Sequence, residues 1–203
     1  MAVAERFRTP SPISEEERED RPEPYTREQF AALAANYPDL RMELTKEGKL
    51  IIMPPSGGES SNQSSIVGGF LFVWSRQDGT GMTFDANGGY DLPNGATRAP
   101  DASWLLRTRW EALMPEQRKK FLPLCPDFLA EVLSPTDSLK ETRAKMEEYI
   151  QNGTRLAWLI NPRRKQVDVY RLGQEVEVLD TPVSLSGEDV LPGFTLNLVE
   201  IWG

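Results

Sequence analysis

The stretch that most constrains the fold runs from Cys125 to Pro135 (CPDFLAEVLSP). Its mostly apolar residues predict a short strand, and proline should end it, because proline lacks an N–H and disfavours helical backbone in the residue before it. Alternation along the strand gives one face with Asp127, Leu129, Glu131 and Leu133, and another with Phe128, Ala130 and Val132. Apolar residues on both faces predict a strand that is covered on both sides.

Glu131 is the exception within this strand. Burying a carboxylate without a partner is costly, because the charge loses its hydration. The compensating group is either a structural partner or a metal ion in a functional site, and the strand alone leaves both open.

The absence of histidine is the most decisive feature of the composition. It excludes Ser-His-Asp and Cys-His nucleophile systems, histidine acid–base chemistry and histidine-ligated zinc. Catalysis by this chain would therefore use carboxylates, lysine, arginine, tyrosine or hydroxyl groups, with a hard metal bound through oxygen.

Length and charge limit the remaining classes. The 203 residues suit one domain with a real core, and the net charge of −8 argues against a protein that coats nucleic acid through a basic surface. No segment approaches the roughly 20 apolar residues of a membrane span, and we expect no secretory signal, because residues 1–20 carry acids and no apolar run. The single cysteine, Cys125, fits a reducing compartment, so we expect a cytoplasmic protein.

The chain divides into an arm and one domain. Residues 1–24 contain four prolines and a run of acids, which predicts a flexible N-terminal arm ahead of a domain at 25–203. Within the domain, two alternating runs around Gly48 predict a β-hairpin. The hairpin carries Glu43, for which a solvated strand face and a site role stay equally open.

Four helices and several strands follow from local patterns in the domain. Helices are predicted from the capping box at 26–29, over 60–77, over 110–121 with a basic cluster at 118–120, and from the capping box at 138–141 to about Gln151. Strands are predicted at 101–106, at 155–160 and at 166–171. Gly68-Gly69 lies inside the second helix, and close packing of that helix on a sheet would explain the pair.

Two predicted strands each supply one carboxylate, Asp101 after a proline and Glu131 within its apolar run. If the strands are neighbours, both acids point into one cleft, where two carboxylates, waters and a substrate phosphate are a common ligand set for Mg²⁺. Lys145 lies on the helix that follows Glu131 and could orient a water or stabilise developing charge. A structural ion pair explains the same acids without any chemistry.

The chain also resembles a known family. Pro100-Asp101, followed about 30 residues later by Glu131-Val132-Leu133, is similar to the PD-(D/E)XK nuclease pattern without its strand lysine. More specifically, the chain resembles the Uma-two (Uma2) family of restriction endonucleases, found in cyanobacteria and other bacteria. The matching segments cover roughly residues 25–202 and include RMEL at 41–44, PSGGE at 55–59, LPNG at 92–95, PDASW at 100–104, CPDF at 125–128, EVLSP at 131–135, KMEEY at 145–149 and WLINP at 158–162.

This resemblance implies an α/β (α+β) fold, a restriction-endonuclease-like mixed β-sheet flanked by helices with additional β-hairpins. It implies that Asp101 and Glu131 bind Mg²⁺ or Mn²⁺, and that Lys145 replaces the lysine whose usual place holds Leu133. Glu43 matches an acid of the family's first hairpin and would be a third catalytic carboxylate. The histidine that many relatives carry near 60–62 is absent, and Glu59 is a candidate contributor in that region.

Three hypotheses about function follow. The first is a Mg²⁺-dependent endonuclease that hydrolyses phosphodiester bonds in DNA. The second is a catalytically inactive nuclease-fold protein that binds nucleic acid or serves as an accessory module. The third is an ion-pair scaffold without a site. For the nuclease, we expect DNA as substrate, no membrane association, and a homodimer, since a single active site cuts one strand.

Overall fold

The secondary structure follows the sequence patterns closely over residues 24–203, which the computed structural model describes. The helices are α1 (Arg27–Asn36), α2 (Gly58–Asp78), α3 (Arg107–Glu111), α4 (Leu139–Gln151) and α5 (Val199–Trp202). The strands are β1 (Arg41–Leu44), β2 (Leu50–Met53), β3 (Gly81–Phe84), β4 (Tyr90–Asp91), β5 (Thr97–Arg98), β6 (Ala102–Leu106), β7 (Phe128–Val132), β8 (Leu156–Asn161), β9 (Gln166–Arg171), β10 (Glu177–Asp180), β11 (Ser184–Ser186) and β12 (Thr195–Asn197). The predicted arm lies outside the described residues except for Pro24.

Six strands form the main sheet in the order β10-β9-β8-β7-β6-β3. Neighbouring strands are antiparallel except β7 and β8, which are parallel. A parallel pair needs a crossover connection, and α4 is that connection, packed over one face of the sheet. A second sheet has the order β2-β1-β5-β4, and β11 pairs with β12 as a separate hairpin. This mixed sheet flanked by helices confirms the predicted fold class.

Strand β7 is covered on both sides, as its apolar residues predict. Phe128, Ala130 and Val132 belong to the core that includes α2. Leu129 and Leu133 belong to the core beneath α4. Glu131 shares that second face of β7 and lies under the crossover helix.

The second sheet places Glu43 inside the protein. Phe30 and Leu33 of α1 pack against Met42 and Leu44 of β1, so α1 covers one face of this strand. Glu43 lies on the other face, and it is only 2% exposed. The solvated-face interpretation of Glu43 is therefore wrong.

One predicted helix is much shorter than expected. The prediction placed a helix over 110–121, whereas α3 ends at Glu111 and turns follow as far as Phe121. Pro115 explains the difference, because a proline inside a helix removes a hydrogen bond and clashes with the preceding turn. In the basic cluster, Lys119 pairs with Glu116 on the exposed surface.

The glycine pair in α2 has a different environment from the predicted one. A Cβ added at Gly68 or Gly69 would meet nothing within 4 Å, so close packing on the sheet does not explain the pair. Close packing occurs instead at Gly81 of β3, where a Cβ would overlap the indole ring of Trp104. Trp104 is 1% exposed, and its Nε1 donates to Ser75 Oγ over 3.2 Å.

We therefore expect opposite effects from two glycine substitutions. Gly81→Ala should lower the free energy of unfolding by about 1–3 kcal/mol, because Trp104 must move within a packed core. Gly69→Ala should raise it by up to about 1 kcal/mol, because alanine favours helix over glycine and meets no neighbour. Urea unfolding of both variants tests this prediction, and equal stabilities would contradict it.

Candidate functional site

The amine of Lys145 joins two buried carboxylates from different sheets. Its Nζ lies 2.7 Å from Oε1 of Glu131 and 2.8 Å from Oε1 of Glu43. The three side chains are 16%, 9% and 3% exposed, respectively. Lys145 can reach both acids because the crossover carries α4 over the face of β7 that bears Glu131. We call Glu43, Glu131 and Lys145 the carboxylate–lysine cluster.

A second group of side chains holds this cluster in place. Glu43 also accepts from Arg98 Nη1 over 3.1 Å and from the backbone N–H of Ala99 over 3.0 Å. Arg98 Nε donates to Glu148 Oε2 over 2.6 Å. Tyr149 donates its hydroxyl hydrogen to Glu131 Oε1 over 3.2 Å.

Three of these side chains were not predicted from the sequence to belong to the site, namely Arg98, Glu148 and Tyr149. Glu148 and Tyr149 follow Lys145 by three and four residues, so a helix places all three on one face. That spacing could have revealed two of them. Nothing in the spacing of Arg98 indicates its partners, because they come from other elements.

Asp101 lies beside Glu131 at the start of β6. In the antiparallel register of β6 and β7, Ala102 pairs with Ala130. Extending this register by one residue places Asp101 opposite Glu131. Asp101 Oδ2 accepts from the backbone N–H of Val132 over 2.9 Å. Its Oδ1 accepts from Arg41 Nη2 over 3.2 Å. The structure thus brings the predicted residues Glu43, Asp101, Glu131 and Lys145 to one end of the sheet.

Two further residues named from the sequence lie outside this cluster. Leu133 is 8% exposed and packs in the core with Met146 and Tyr149, so the strand position that usually holds lysine is apolar. Glu59 is exposed in the first turn of α2. No hydrogen bond or ion pair joins Glu59 to the cluster within the described residues.

Comparison with known proteins identifies the family. Residues 27–199 match the family model Uma2, described as "Putative restriction endonuclease". The chain belongs to the Uma2 family. This confirms the resemblance on which the site residues were assigned, while their roles stay predictions.

A solved structure supports the fold of this Uma2 chain. It is described as "a putative nuclease belonging to DUF820 from Anabaena variabilis ATCC 29413" and superposes with a TM-score of 0.73. The match covers 88% of this chain and 98% of that chain at 23% sequence identity, so it shows the fold alone. No curated protein matches the Uma2 chain significantly. Among residues 24–203, no helix is long and apolar enough to cross a membrane.

Burial and neighbouring charges set the ionisation of Glu131. The pKa of its carboxyl is raised to about 7 overall, chiefly by burial and also by the charges of Asp101 and Glu43. Lys145 opposes this shift through its charge and hydrogen bond. Glu131 therefore exchanges its proton near neutral pH, although an ordinary glutamate is ionised there.

Glu43 and Lys145 are shifted toward their charged forms. Burial raises the pKa of Glu43, but the charges of Lys145 and Arg98 outweigh burial, and the pKa is lowered overall. Burial lowers the pKa of Lys145, but the charges of Glu131 and Glu43 raise it above its ordinary value. Around neutral pH the cluster thus holds a fixed cation and one fixed anion.

The oxygen atoms at this end of the sheet suit a hard metal ion. Glu131 Oε2 accepts no hydrogen bond within residues 24–203, since the Lys145 and Tyr149 contacts both use Oε1. Asp101 supplies a second carboxylate from the neighbouring strand. In the described part of the chain no group of three or more acidic or cysteine side chains is arranged to hold a metal. Mg²⁺ needs only one or two carboxylates when waters and substrate phosphates complete its coordination, so Asp101 and Glu131 fit.

Removing Glu43 should destabilise the whole protein. Glu43→Ala leaves Lys145 with one carboxylate and Arg98 with one, and removing a partner from a buried ion pair typically costs about 3–5 kcal/mol. Glu47→Ala is the matched control, because Glu47 is 66% exposed and pairs with Lys46 on the surface. We expect its effect on the free energy of unfolding to stay within about 0.5 kcal/mol. Chemical unfolding measures both, and equal losses would contradict a structural role for the cluster.

The pKa of Glu131 predicts an unusual dependence of stability on pH. Between the unfolded value of 4.5 and the folded value of about 7, the folded protein holds a proton that the unfolded chain has lost. Stability should therefore decrease as pH rises from 5 to 7.5. The chain has no histidine to titrate in this window, and the lowered pKa of Glu43 acts below it. Unfolding curves of wild type and Glu131→Gln should diverge with pH, and parallel curves would contradict this prediction.

Proposed function

We propose that this Uma2 protein is a metal-dependent endonuclease that hydrolyses phosphodiester bonds in DNA with Mg²⁺ or Mn²⁺. The observation that carries the proposal is the contact of Lys145 Nζ with both Glu131 and Glu43, beside Asp101. A lysine and three acids far apart in the sequence converge there, although the strand position for lysine holds Leu133. Membership of a restriction-endonuclease family supports the same chemistry.

Asp101 and Glu131 are the residues that would hold the metal ion. When bound, such an ion polarises the phosphoryl group and lowers the pKa of a coordinated water. Glu43 has a different role, because it already pairs with two cations, Lys145 and Arg98, whereas Asp101 pairs with Arg41 alone among the described residues. Glu43 orients Lys145 and keeps it charged.

Lys145 acts as a cation in this proposal. The neighbouring carboxylates raise its pKa above its ordinary value, so it stays protonated at neutral pH and cannot serve as a base. A fixed ammonium group stabilises the negative charge that develops on the phosphate during hydrolysis. Tyr149 helps to fix the position of Glu131, and its own pKa is raised by burial, so its hydroxyl keeps the hydrogen that it donates.

A second candidate is a nuclease-fold protein that binds nucleic acid without cutting it. The contact between Arg41 and Asp101 favours this candidate, because a guanidinium group there neutralises a proposed metal ligand. Turnover would require Arg41 to share or release Oδ1 of Asp101. The two candidates differ in whether the purified protein cuts DNA.

Cleavage of supercoiled plasmid in Mg²⁺ or Mn²⁺ is the direct test of the endonuclease. We expect nicking by wild type, and a loss of about 100-fold or more in Asp101→Ala and Lys145→Met, since removing one charge-stabilising group commonly costs that much. Lys140→Met is the control, because Lys140 lies on the same helix but is exposed. Equal nicking by wild type and Asp101→Ala would overturn the proposal. DNA binding without cleavage by wild type would favour the second candidate.

Metal binding can be tested separately from cleavage. A ligand that binds only the folded state raises the melting temperature, so Mn²⁺ should stabilise wild type. The shift should be larger at pH 8 than at pH 6, because the metal prefers the ionised form of Glu131. Asp101→Ala and Glu131→Gln should abolish it, whereas Glu47→Gln should retain it. The same shift in all four proteins would place the bound ion elsewhere.

A further inference from the structure

A cavity of about 220 Å³ lies beside α1 and shares two arginines with the surroundings of the carboxylate–lysine cluster. Its walls come from the α1–β1 connection, β1, the β3–β4 turn, β5 and the segment before β7. They include Pro38, Asp39, Arg41, Asn87, Arg98 and Phe121. Arg41 and Arg98 belong to both places, since Arg41 contacts Asp101 and Arg98 contacts Glu43. A molecule in this cavity would therefore be connected to the proposed catalytic residues through these two arginines.

The size of the cavity suits one planar ring system. A cavity of about 150 Å³ accommodates a benzene ring, whereas drug-sized ligands need roughly 300 Å³ or more. Phe121 lines the cavity with an aromatic ring that packs against Gly89 and stacks on Phe30 with ring centroids 5.6 Å apart. Aromatic rings of this kind are the usual partners of unstacked nucleobases.

The polar groups of the cavity suit the edge of a base. The amide of Asn87 both donates and accepts hydrogen bonds, the carboxylate of Asp39 accepts them, and the guanidinium group of Arg41 donates them. Such a mixed set matches a ring with donors and acceptors at its edge. A bare phosphate suits it less well, because Asp39 would repel the phosphate charge.

Arg41 has hydrogen-bonding capacity to spare. Its Nη2 donates to Asp101 Oδ1 and to the carbonyl of Ala99. Its Nε is buried and has no partner among the described residues. An unpaired buried donor costs free energy, so the side chain would gain by turning toward an acceptor in the cavity.

We propose that this cavity is a nucleobase subsite that takes one base of the DNA beside the phosphate to be cut. The substrate class rests on the proposed endonuclease function. A base can enter only when it is unstacked, so the subsite favours single-stranded or locally opened DNA over an intact duplex. The same contact ties base capture to the cleavage site, because Arg41 touches both the cavity and Asp101.

Binding of the four deoxynucleoside 5′-monophosphates, measured by calorimetry in EDTA, tests the subsite without metal or cleavage. Deoxyribose 5-phosphate is the matched probe without a base. We expect at least one nucleotide to bind ten times more tightly than deoxyribose 5-phosphate. Ala86→Phe should weaken nucleotide binding at least tenfold, because Ala86 lines the cavity. Ala35→Phe is the control, since Ala35 is exposed on α1 and does not line it.

A second variant guards against misfolding of Ala86→Phe. Asn87→Leu changes an exposed turn residue and removes the amide, at the loss of one exposed side-chain hydrogen bond to Asp85. It should also weaken binding and reduce the difference in affinity among the four bases. The subsite is overturned if no nucleotide binds, if deoxyribose 5-phosphate binds equally well, or if both variants bind as wild type does. A wild-type protein that cuts plasmid but gives one of these results would retain the proposed function and lose the subsite. If the protein does not cut DNA but binds nucleotides, and both variants weaken that binding, the subsite would be supported and the endonuclease proposal overturned.

Discussion

The ammonium group of Lys145 is the interaction on which the site depends. Glu131 lies within a strand that is apolar on both faces, and Glu43 is buried between β1 and α4, so neither carboxylate has enough water to keep its charge unaided. One cation placed between them pairs with both, and Arg98 adds a second positive charge beside Glu43. Because the three side chains come from β1, β7 and α4, this ion cluster also fixes how the small sheet and the crossover helix sit on the main sheet.

Much of the fold could be predicted from short-range patterns. The strand at 128–132 and the helix from Ser138 to Gln151 have strong local signals, a proline stop for the one and a capping residue for the other. The prediction of a helix over 110–121 was wrong, because it followed the apolar and basic residues of this segment and gave too little weight to Pro115. The predicted close packing of the glycine pair in α2 was wrong for another reason. The sequence does not distinguish a glycine that packing requires from a glycine that is merely tolerated. Packing does require glycine at Gly81, but nothing in the neighbouring sequence indicates this, because Trp104 comes from another strand.

The candidate site could be predicted in part. Asp101, Glu131 and Lys145 were accessible because a buried acid needs a partner and because the family pattern names the positions. The side chains that support the site could not be predicted, since the contacts of Arg98 with Glu43 and Glu148 depend on tertiary structure. The burial of Glu43 was equally hidden, because strand alternation gives two faces and does not say that the second face is covered by α4.

The assembly of the cluster from distant segments affects when the site can exist. The hairpin that carries Glu43 is made early in synthesis, but its charge partner on α4 follows about 100 residues later. Until that helix has left the ribosome and docked, the acids of β1 and β7 have no shared cation and would remain hydrated or protonated. Contacts between segments so far apart form slowly, because the chain entropy lost in closing the loop precedes the gain. A growing chain therefore carries no assembled site, and whatever chemistry the mature protein performs is withheld from the nascent one.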